Sequence, residues 1–215
     1  MKIAINGFGR IGKLIFRAFL EKKLKHAEIV AINDLGGLDS NIHLLKYDSI
    51  HGKLPAKITK FQNNIKYNNK IIYFFSEKDP MNLPWKKLKV DIVLECSGYF
   101  TSKEKAYTHI KAGAKKIIIS APGSNVDATI VQGVNNRILK KTHNIISNGS
   151  CTTNCLAPIA MVLDKGLGIE NGFMTTIHSY TGDQRSVDHS HTDFRRARAA
   201  AVSMIPTSTG AAKAL

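Results

Sequence analysis

The sequence predicts an α/β fold built on a parallel sheet. Short apolar runs rich in isoleucine and valine alternate with segments of helical period through residues 1–149. A glycine-rich turn stands directly after the first apolar run, where a strand would pass into a helix. Strands that alternate with helices form parallel sheets, because each helix carries the chain back across the sheet.

The first strand, turn, helix and second strand are the most clearly marked elements. Residues 2–6 are predicted to form a strand, and residues 7–12, Gly-Phe-Gly-Arg-Ile-Gly, match the pattern G-x-G-x-x-G. A second strand over residues 28–33 leads to Asp34, about 20 residues beyond the last glycine. Between the strands we expect a helix, and five apolar side chains at helical spacing predict the face that packs on the sheet: Ile11, Leu14, Ile15, Ala18 and Phe19.

This arrangement predicts a dinucleotide site. In such a turn Gly7 permits the tight bend, Gly9 lets the backbone approach a pyrophosphate, and Gly12 lets the helix pack closely on the strand. The N–H groups of Arg10 and Ile11 would face the phosphates from the first turn of the helix. A glycine pattern alone is often only a tight turn, but here all the flanking elements occur in the required order.

Asp34 predicts which dinucleotide is bound. A carboxylate at this position is expected to accept hydrogen bonds from the adenosine ribose, and it would repel a 2′-phosphate. The predicted cofactor is therefore NAD rather than NADP. The predicted architecture of the first part of the chain is a Rossmann-type, doubly wound parallel sheet.

The strand and helix pattern continues to a boundary at residues 147–149. Further strands are expected at residues 71–75, 90–96 and 116–120, with a helix from residue 102 to residue 112. We therefore predict an NAD-binding domain over residues 1–149 and, over residues 150–215, the beginning of an α+β catalytic domain. Neither an internal repeat nor a low-complexity linker is visible.

Cys151 is the candidate nucleophile. It lies in residues 150–155, Ser-Cys-Thr-Thr-Asn-Cys, at the predicted start of an apolar helix that Gly166 is expected to close. The unpaired N–H groups of a first helical turn favour a thiolate and lower a thiol pKa. The alternative is that Cys151 is a small buried apolar residue. A zinc site is not expected, because only Cys96 is left to join Cys151 and Cys155.

With their neighbours, these motifs resemble the phosphorylating glyceraldehyde-3-phosphate dehydrogenase family. The resemblance runs from end to end, through residues 5–12, 33–34, 47–52, 95–98, 120–123, 150–158, 178–181 and 205–213. It implies that the Cys151 thiolate attacks the substrate aldehyde and that His178 takes up the proton. Hydride would pass to NAD, and inorganic phosphate would cleave the resulting thioester to an acyl phosphate. His178 follows an apolar run, residues 173–177, that predicts a strand.

The resemblance also implies binding residues. Ser150, Thr152, Thr209 and Gly210 would hold the attacking phosphate, and Thr181 would contribute to the site for the substrate phosphate. For these hydroxyl groups the alternative is ordinary helix capping. On the cofactor side the implied residues are Arg10, Ile11, Asp34, Lys78 and Ser120, and Lys78 stands where relatives usually have arginine.

Length is the departure from the family pattern. Relatives continue for roughly a hundred further residues, as expected of a two-domain enzyme. We therefore expect the catalytic domain to be incomplete and the chain to be a fragment or a truncated product. The resemblance implies that it lacks a family arginine that binds the substrate phosphate and an asparagine that orients the nicotinamide. Apolar strand edges would be left uncovered. The basic stretch over residues 180–205 corresponds to a family loop at a subunit interface, which implies a homotetramer.

Composition sets the remaining expectations. A hydrophobic fraction of 43% and a charged fraction of 22% are typical of a soluble globular protein. Neither a signal peptide nor a membrane span is expected, and three cysteines fit a reducing compartment, so the cytoplasm is predicted. The net charge of +15 leaves one alternative open, an inactive basic NAD-binding fragment that binds RNA or a partner chain. A second alternative is erythrose-4-phosphate dehydrogenase.

Overall fold

The computed structural model of the chain describes residues 1–211. The chain divides into two compact units, one over Met1–Ser150 and the other from Cys151 onward. The last two residues of the family-like stretch 205–213, Ala212 and Lys213, lie outside the described residues. Within the described residues, no helix has both the length and the apolar composition needed to cross a membrane.

The first unit is built on a nine-stranded sheet with the order β10-β11-β9-β8-β1-β2-β7-β6-β5. Its strands are β1 (Lys2–Asn6), β2 (Glu28–Asn33), β5 (Ile58–Phe61), β6 (Asn64–Tyr67), β7 (Lys70–Phe75), β8 (Ile92–Glu95), β9 (Lys116–Ile119), β10 (Ala128–Thr129) and β11 (Ile145–Ser147). A separate short pair is β3 (Tyr47–Asp48) with β4 (Gly52–Lys53). The helices are α1 (Arg10–Lys22), α2 (Leu38–Lys46), α3 (Trp85–Leu88) and α4 (Lys103–Lys111), followed in the second unit by α5 (Cys151–Leu167).

The predicted α/β fold with a mostly parallel sheet is confirmed. All pairs from β10 to β7 are parallel, and the chain leaves β1 for β2 on one side and later returns to β8 on the other. Side chains of β1 alternate between two apolar clusters, since Ile3 and Ile5 join one cluster and Ala4 joins the other. Both faces of the central strand are therefore covered, as a doubly wound sheet requires.

An antiparallel edge was not predicted. Strands β5, β6 and β7 are joined by two-residue loops, and Gln62 and Asn68 each have a φ of 52° in those loops. Tight hairpins need such left-handed residues, because their twist matches that of the flanking strands. The hairpin buries Ile58, Ile65 and Ile72 in the same cluster as Ile5. The sheet is thereby extended beyond its parallel part.

The predicted face of α1 is partly wrong. Ile11 is 47% exposed and Ala18 is exposed, whereas Lys13, Phe16 and Arg17 are buried. The buried ammonium and guanidinium groups are tolerated because both form hydrogen bonds. Lys13 Nζ donates to Phe8 O and to Asn41 Oδ1. Arg17 donates to the carbonyl oxygens of Leu45, Lys46 and Gly52. The helix is thus tied to α2 and the loop after it by hydrogen bonds as well as by apolar contact.

Over residues 151–211, the second unit consists of one α-helix and a long irregular segment. Helix α5 continues through Gly166 to Leu167, and Gly168, with a φ of 74°, donates its N–H to Asp164 O at 2.9 Å. The expected end at Gly166 is therefore wrong by one residue. The strand predicted over residues 173–177 is also wrong, because no described strand pairs with this run, and Phe173 and Ile177 are both 95% exposed.

Candidate active site

A cavity of about 610 Å³ lies at the carboxyl ends of the central strands. It is positioned where the chain order reverses between β1 and β8, the place at which open parallel sheets bind ligands. Its walls come from the ends of β1, β2, β7 and β8. The lining residues are Asn6, Gly7, Gly9, Asn33, Asp34, Leu35, Gly36, Glu77, Lys78, Cys96, Ser97, Tyr99 and Phe100.

The glycine turn fits a pyrophosphate at this cavity. Gly7 has a φ of 88°, and a Cβ there would lie 2.5 Å from Ser97 Cα. A Cβ on Gly12 would overlap Gly7 O, so this glycine permits close packing of α1 on the turn. A Cβ on Gly9 would meet nothing within 4 Å, which leaves the backbone open to a ligand. No side chain caps α1 and its first turn contains no acid, so a phosphate could accept hydrogen bonds there.

Asp34 and Lys78 are the other predicted cofactor residues that line the cavity. The Asp34 carboxylate accepts hydrogen bonds from the N–H groups of Phe8 (2.7 Å) and Gly36 (2.8 Å) and from the Asn41 amide (3.0 Å). These bonds fix the acid at the end of β2, close to the glycine turn. Lys78 follows β7 and supplies a cation to the same cavity.

The remaining predicted cofactor residues do not line this cavity. The Arg10 guanidinium turns to Asp48, with Nη1 to Oδ2 at 2.6 Å, and Ile11 is exposed. Ser120 instead forms a hydrogen bond with Cys96, whose thiol lines the cavity wall. Burial raises the pKa of Cys96 to about 11, so this thiol stays protonated at neutral pH.

The second unit brings Cys151 and His178 together. Cys151 is the first residue of α5, and its Sγ lies 3.2 Å from His178 Nε2. His178 Nδ1 lies 2.6 Å from Ser179 O, a carbonyl that can only accept, so Nδ1 carries a hydrogen. Nε2 is therefore the nitrogen that exchanges a proton with the thiol. Both side chains are exposed to solvent.

This contact changes both pKa values in the direction that nucleophilic catalysis needs. Burial opposes ionisation of Cys151, but hydrogen bonds from His178 and Thr152 outweigh it, and the pKa of the thiol is lowered. The hydrogen bond to Ser179 O, followed by the contact with Cys151, raises the pKa of His178. The pair therefore favours a thiolate beside an imidazolium.

A second pocket of about 410 Å³ surrounds this pair. It is lined by Cys151, Thr152, Cys155, Leu156, Ile159 and residues 174–179. Of the predicted phosphate-binding residues of this unit, Thr152 lines the pocket, whereas Thr181, Thr209 and Gly210 do not. Thr181 donates its N–H to Gln184 Oε1, and Thr209 Oγ1 accepts the N–H of Ala211 at 3.2 Å. Ser150 ends the first unit, immediately before Cys151.

Several cavity residues were not predicted from the sequence. Asn6, Asn33 and Ser97 line the cavity. Asn33 donates a hydrogen bond to Asn6, and Asn6 and Ser97 both donate to the Glu95 carboxylate. Their signal was present, because each is a polar residue at or just beyond the carboxyl end of an apolar strand. As for metal binding, the described residues contain no cluster of three or more His, Cys, Asp or Glu side chains that could hold an ion.

An open parallel sheet with a glycine turn at its switch point defines the class of dinucleotide-binding proteins. Two family models match the chain: "Glyceraldehyde 3-phosphate dehydrogenase, NAD binding domain" over residues 1–103, and "Glyceraldehyde 3-phosphate dehydrogenase, C-terminal domain" over residues 150–215. The chain belongs to the glyceraldehyde-3-phosphate dehydrogenase family. The first match supports NAD, the predicted cofactor.

Named relatives agree with this assignment. Over 215 residues the chain is 53% identical to glyceraldehyde-3-phosphate dehydrogenase of Xanthobacter flavus. The corresponding proteins of Geobacillus stearothermophilus and Thermotoga maritima are 56% and 54% identical. Each alignment covers 100% of this chain and 64% of the relative, so the chain spans less than two thirds of their length. The comparisons favour neither erythrose-4-phosphate dehydrogenase nor an RNA-binding fragment.

Proposed function

We propose that this chain supplies the NAD site and the nucleophile for oxidative phosphorylation of D-glyceraldehyde 3-phosphate to 1,3-bisphosphoglycerate. The single observation that carries the proposal is the 3.2 Å contact between Cys151 Sγ and His178 Nε2, within a segment that matches the family's C-terminal domain. In this proposal residues 1–149 are the NAD-binding domain, and residues 150–215 are the beginning of the catalytic domain.

Cys151 and His178 divide the covalent chemistry between them. The Cys151 thiolate attacks the aldehyde carbon, a C–S bond forms, and the carbonyl oxygen takes a proton from the His178 imidazolium to give a thiohemiacetal. His178 then removes that proton as the carbon loses hydride, which leaves a thioester on Cys151. NAD, when bound, supplies the hydride acceptor. Inorganic phosphate attacks the thioester carbon, and the released thiolate is again paired with His178.

The anion-binding residues of the proposal are hydroxyl and backbone donors. Ser150, Thr152, Thr209 and Gly210 would hold the attacking phosphate, and Thr181 would contribute to the substrate-phosphate site. Thr152 is supported by its position beside Cys151 in the same pocket. Hydroxyls and N–H groups suit this task because both can donate to phosphate oxygens.

The cofactor residues of the proposal surround the glycine turn. Gly7, Gly9 and Gly12 would shape the approach to the pyrophosphate, and Asp34 would accept hydrogen bonds from the adenosine ribose. Support comes from the open space at Gly9 and from the position of Asp34 in the cavity wall. The remaining proposed contacts, from the family resemblance, are those of Arg10, Ile11, Lys78 and Ser120.

Assembly and location follow from the family resemblance. We propose a homotetramer in the cytoplasm, with the basic stretch over residues 180–205 at a subunit interface. In the structure Arg196 already holds part of this stretch, through Asp183 at 2.6 Å and through Thr207. Sedimentation of the purified chain, with and without NAD, would test the tetramer.

The test of function is NADH formation by the 215-residue chain with glyceraldehyde 3-phosphate, with and without inorganic phosphate. A Cys151→Ser variant is the matched control, because it keeps a hydroxyl at the start of α5 but removes the thiolate. Phosphate-dependent NADH formation that is absent in the control is the expected result. Turnover that persists in Cys151→Ser, or that ignores phosphate, would contradict the proposed chemistry.

A further inference from the structure

Glu95 is a buried carboxylate directly behind the cofactor cavity. It ends β8, its side chain is fully buried, and it is not among the residues that line the cavity. Four polar groups surround it: the Ser97 N–H (2.7 Å) and the Ser97 hydroxyl at Oε1, and Asn6 Nδ2 (2.5 Å) and His109 Nε2 (3.0 Å) at Oε2. The chemistry proposed above uses none of these contacts.

From one side, the direction of the hydrogen bonds is fixed by a backbone donor. The Glu77 N–H donates to Asn33 Oδ1 at 2.8 Å, so the Asn33 amide nitrogen must face Asn6 Oδ1, also at 2.8 Å. Asn6 therefore presents its own amide nitrogen to Glu95 Oε2. This chain of amides delivers a hydrogen to the carboxylate.

From the other side, the direction is fixed by an indole. Trp85 Nε1 can only donate, and it lies 3.0 Å from His109 Nδ1, which must then accept. The hydrogen of a neutral His109 is therefore on Nε2, where it points to Glu95 Oε2. This chain too delivers a hydrogen to the carboxylate.

The Ser97 N–H, Asn6 Nδ2 and His109 Nε2 all donate to Glu95, and the Ser97 hydroxyl also donates to Oε1, so the four contacts suit an ionised carboxylate. An amide in its place would set its own N–H groups against the Ser97 N–H or against Asn6 and His109. Four charge-assisted bonds compensate for burying the charge. The neighbours reached through these bonds are cavity walls: Asn6, Asn33, Glu77 and Ser97 all line the cavity, whereas His109 and Trp85 do not.

We propose that Glu95 is the positioning residue of the cofactor site. Its carboxylate holds the Asn6 side chain at the end of β1, through it the Asn33 side chain at the end of β2, and Ser97 in the loop after β8, in addition to the backbone hydrogen bonds that pair these strands. Ser97 extends this effect, because its hydroxyl oxygen accepts the N–H of Tyr99, another cavity residue. The inference rests on the proposed NAD site. The residues present fit NAD, because the open space at Gly9 leaves room for its pyrophosphate.

The test is calorimetric titration of the 215-residue chain with NAD, together with thermal unfolding. Glu95→Gln keeps the shape but replaces an acceptor oxygen by a donor, and we expect NAD to bind about tenfold more weakly. The matched control is Asp127→Asn. Asp127 accepts hydrogen bonds from Lys103 and from two backbone N–H groups in the same unit, and it does not line the cavity. This control should lose stability while its folded form binds NAD as the wild type does.

The outcomes separate the inference from the proposed function. Failure of the wild type itself to bind NAD would refute the cofactor site. If the wild type binds NAD and Glu95→Gln has the same dissociation constant, only the role of Glu95 is overturned. The same conclusion follows if the Asp127→Asn control loses as much affinity for NAD as Glu95→Gln does. If Glu95→Gln does not fold, Trp85→Phe removes the donor that sets the His109 tautomer. We then expect about threefold weaker NAD binding, and unchanged affinity would overturn the proposal.

Discussion

Two glycines of the turn after β1, Gly7 and Gly9, should respond differently to the same added methyl group. Gly7 combines a φ of 88° with a Cβ position 2.5 Å from Ser97 Cα and 2.6 Å from Cys96 C. Both obstacles are backbone atoms, which cannot rotate away. Gly9 has a φ of −70° and open space around its Cβ position. The structure therefore predicts that Gly7→Ala damages folding, whereas Gly9→Ala damages ligand binding.

The magnitude for Gly7→Ala follows from two contributions. A left-handed alanine costs about 1–2 kcal/mol. Displacing the loop after β8 adds about 1–3 kcal/mol, the usual range for an overpacked site. The sum, about 2–5 kcal/mol, is a large part of the free energy of unfolding of an ordinary domain. At about 2–4 °C per kcal/mol, the melting temperature should fall by roughly 4–20 °C.

For Gly9→Ala the free energy of unfolding should change by less than about 1 kcal/mol, the effect of replacing glycine at an uncapped helix start. NAD binding should nevertheless weaken, because the methyl group would occupy the space through which a pyrophosphate reaches the first turn of α1. Thermal unfolding and NAD titration of the two variants, side by side with wild type, make the comparison. A Gly9→Ala chain that binds NAD normally would refute this placement of the pyrophosphate, and a Gly7→Ala chain of wild-type stability would refute the steric reasoning.

Three further predictions concern charged groups. In His178→Asn the pKa of Cys151 should rise, so the midpoint of its alkylation rate against pH should move upward, and an unmoved midpoint would exclude His178 as its partner. Although burial opposes it, hydrogen bonds lower the pKa of Asp127 to about 2, so its stabilisation is present above the ordinary value of 3.8 and disappears as pH falls toward 2. Acid unfolding of Asp127→Asn should accordingly lose part of this pH dependence, which urea titrations at several pH values would show. Arg17→Met should destabilise the chain by about 2–4 kcal/mol in urea unfolding, since it leaves the carbonyls of Leu45, Lys46 and Gly52 without their buried donor; a loss below about 1 kcal/mol would contradict this.

The parallel part of the sheet was predictable because its signals are local. A buried parallel strand has to be apolar on both faces, so β1, β2 and β9 stand out as continuous runs of isoleucine, valine and alanine. The antiparallel hairpin carries a weaker signal, since each of its strands buries few side chains among lysines and asparagines. The Gln-Asn and Asn-Asn loops were nevertheless visible in the sequence, and asparagine is a residue that accepts left-handed backbone.

The buried face of α1 could not be read from periodicity alone. Apolar spacing selects Ile11 and Ile15, but the helix turns Lys13 and Arg17 inward, toward carbonyl oxygens supplied by α2 and the following loop. Whether a lysine or arginine is buried depends on acceptors that are distant in sequence. The Glu95 network has the same character, because the local pattern does not show that Trp85 and His109, from the helices before and after β8 in the chain, form one series of hydrogen bonds with Glu95. Local pattern identifies strands, whereas partners of buried charges are properties of the assembled fold.

The two proposed parts of the reaction are stabilised in opposite ways. The cofactor cavity is held by a buried carboxylate in surroundings of low dielectric constant, so each of its hydrogen bonds is strong and each deletion should be felt. The Cys151 and His178 side chains are exposed, so water and salt screen the attraction between thiolate and imidazolium. An aldehyde substrate that covers the pair would remove this water, and the same 3.2 Å contact would then stabilise the ion pair more strongly. Added salt should therefore slow alkylation of the free thiol. It should have a smaller effect on the buried hydrogen bonds of Glu95 and on the NAD binding that depends on them. A thiol whose reactivity is independent of salt would show that His178 is not charged when Cys151 reacts.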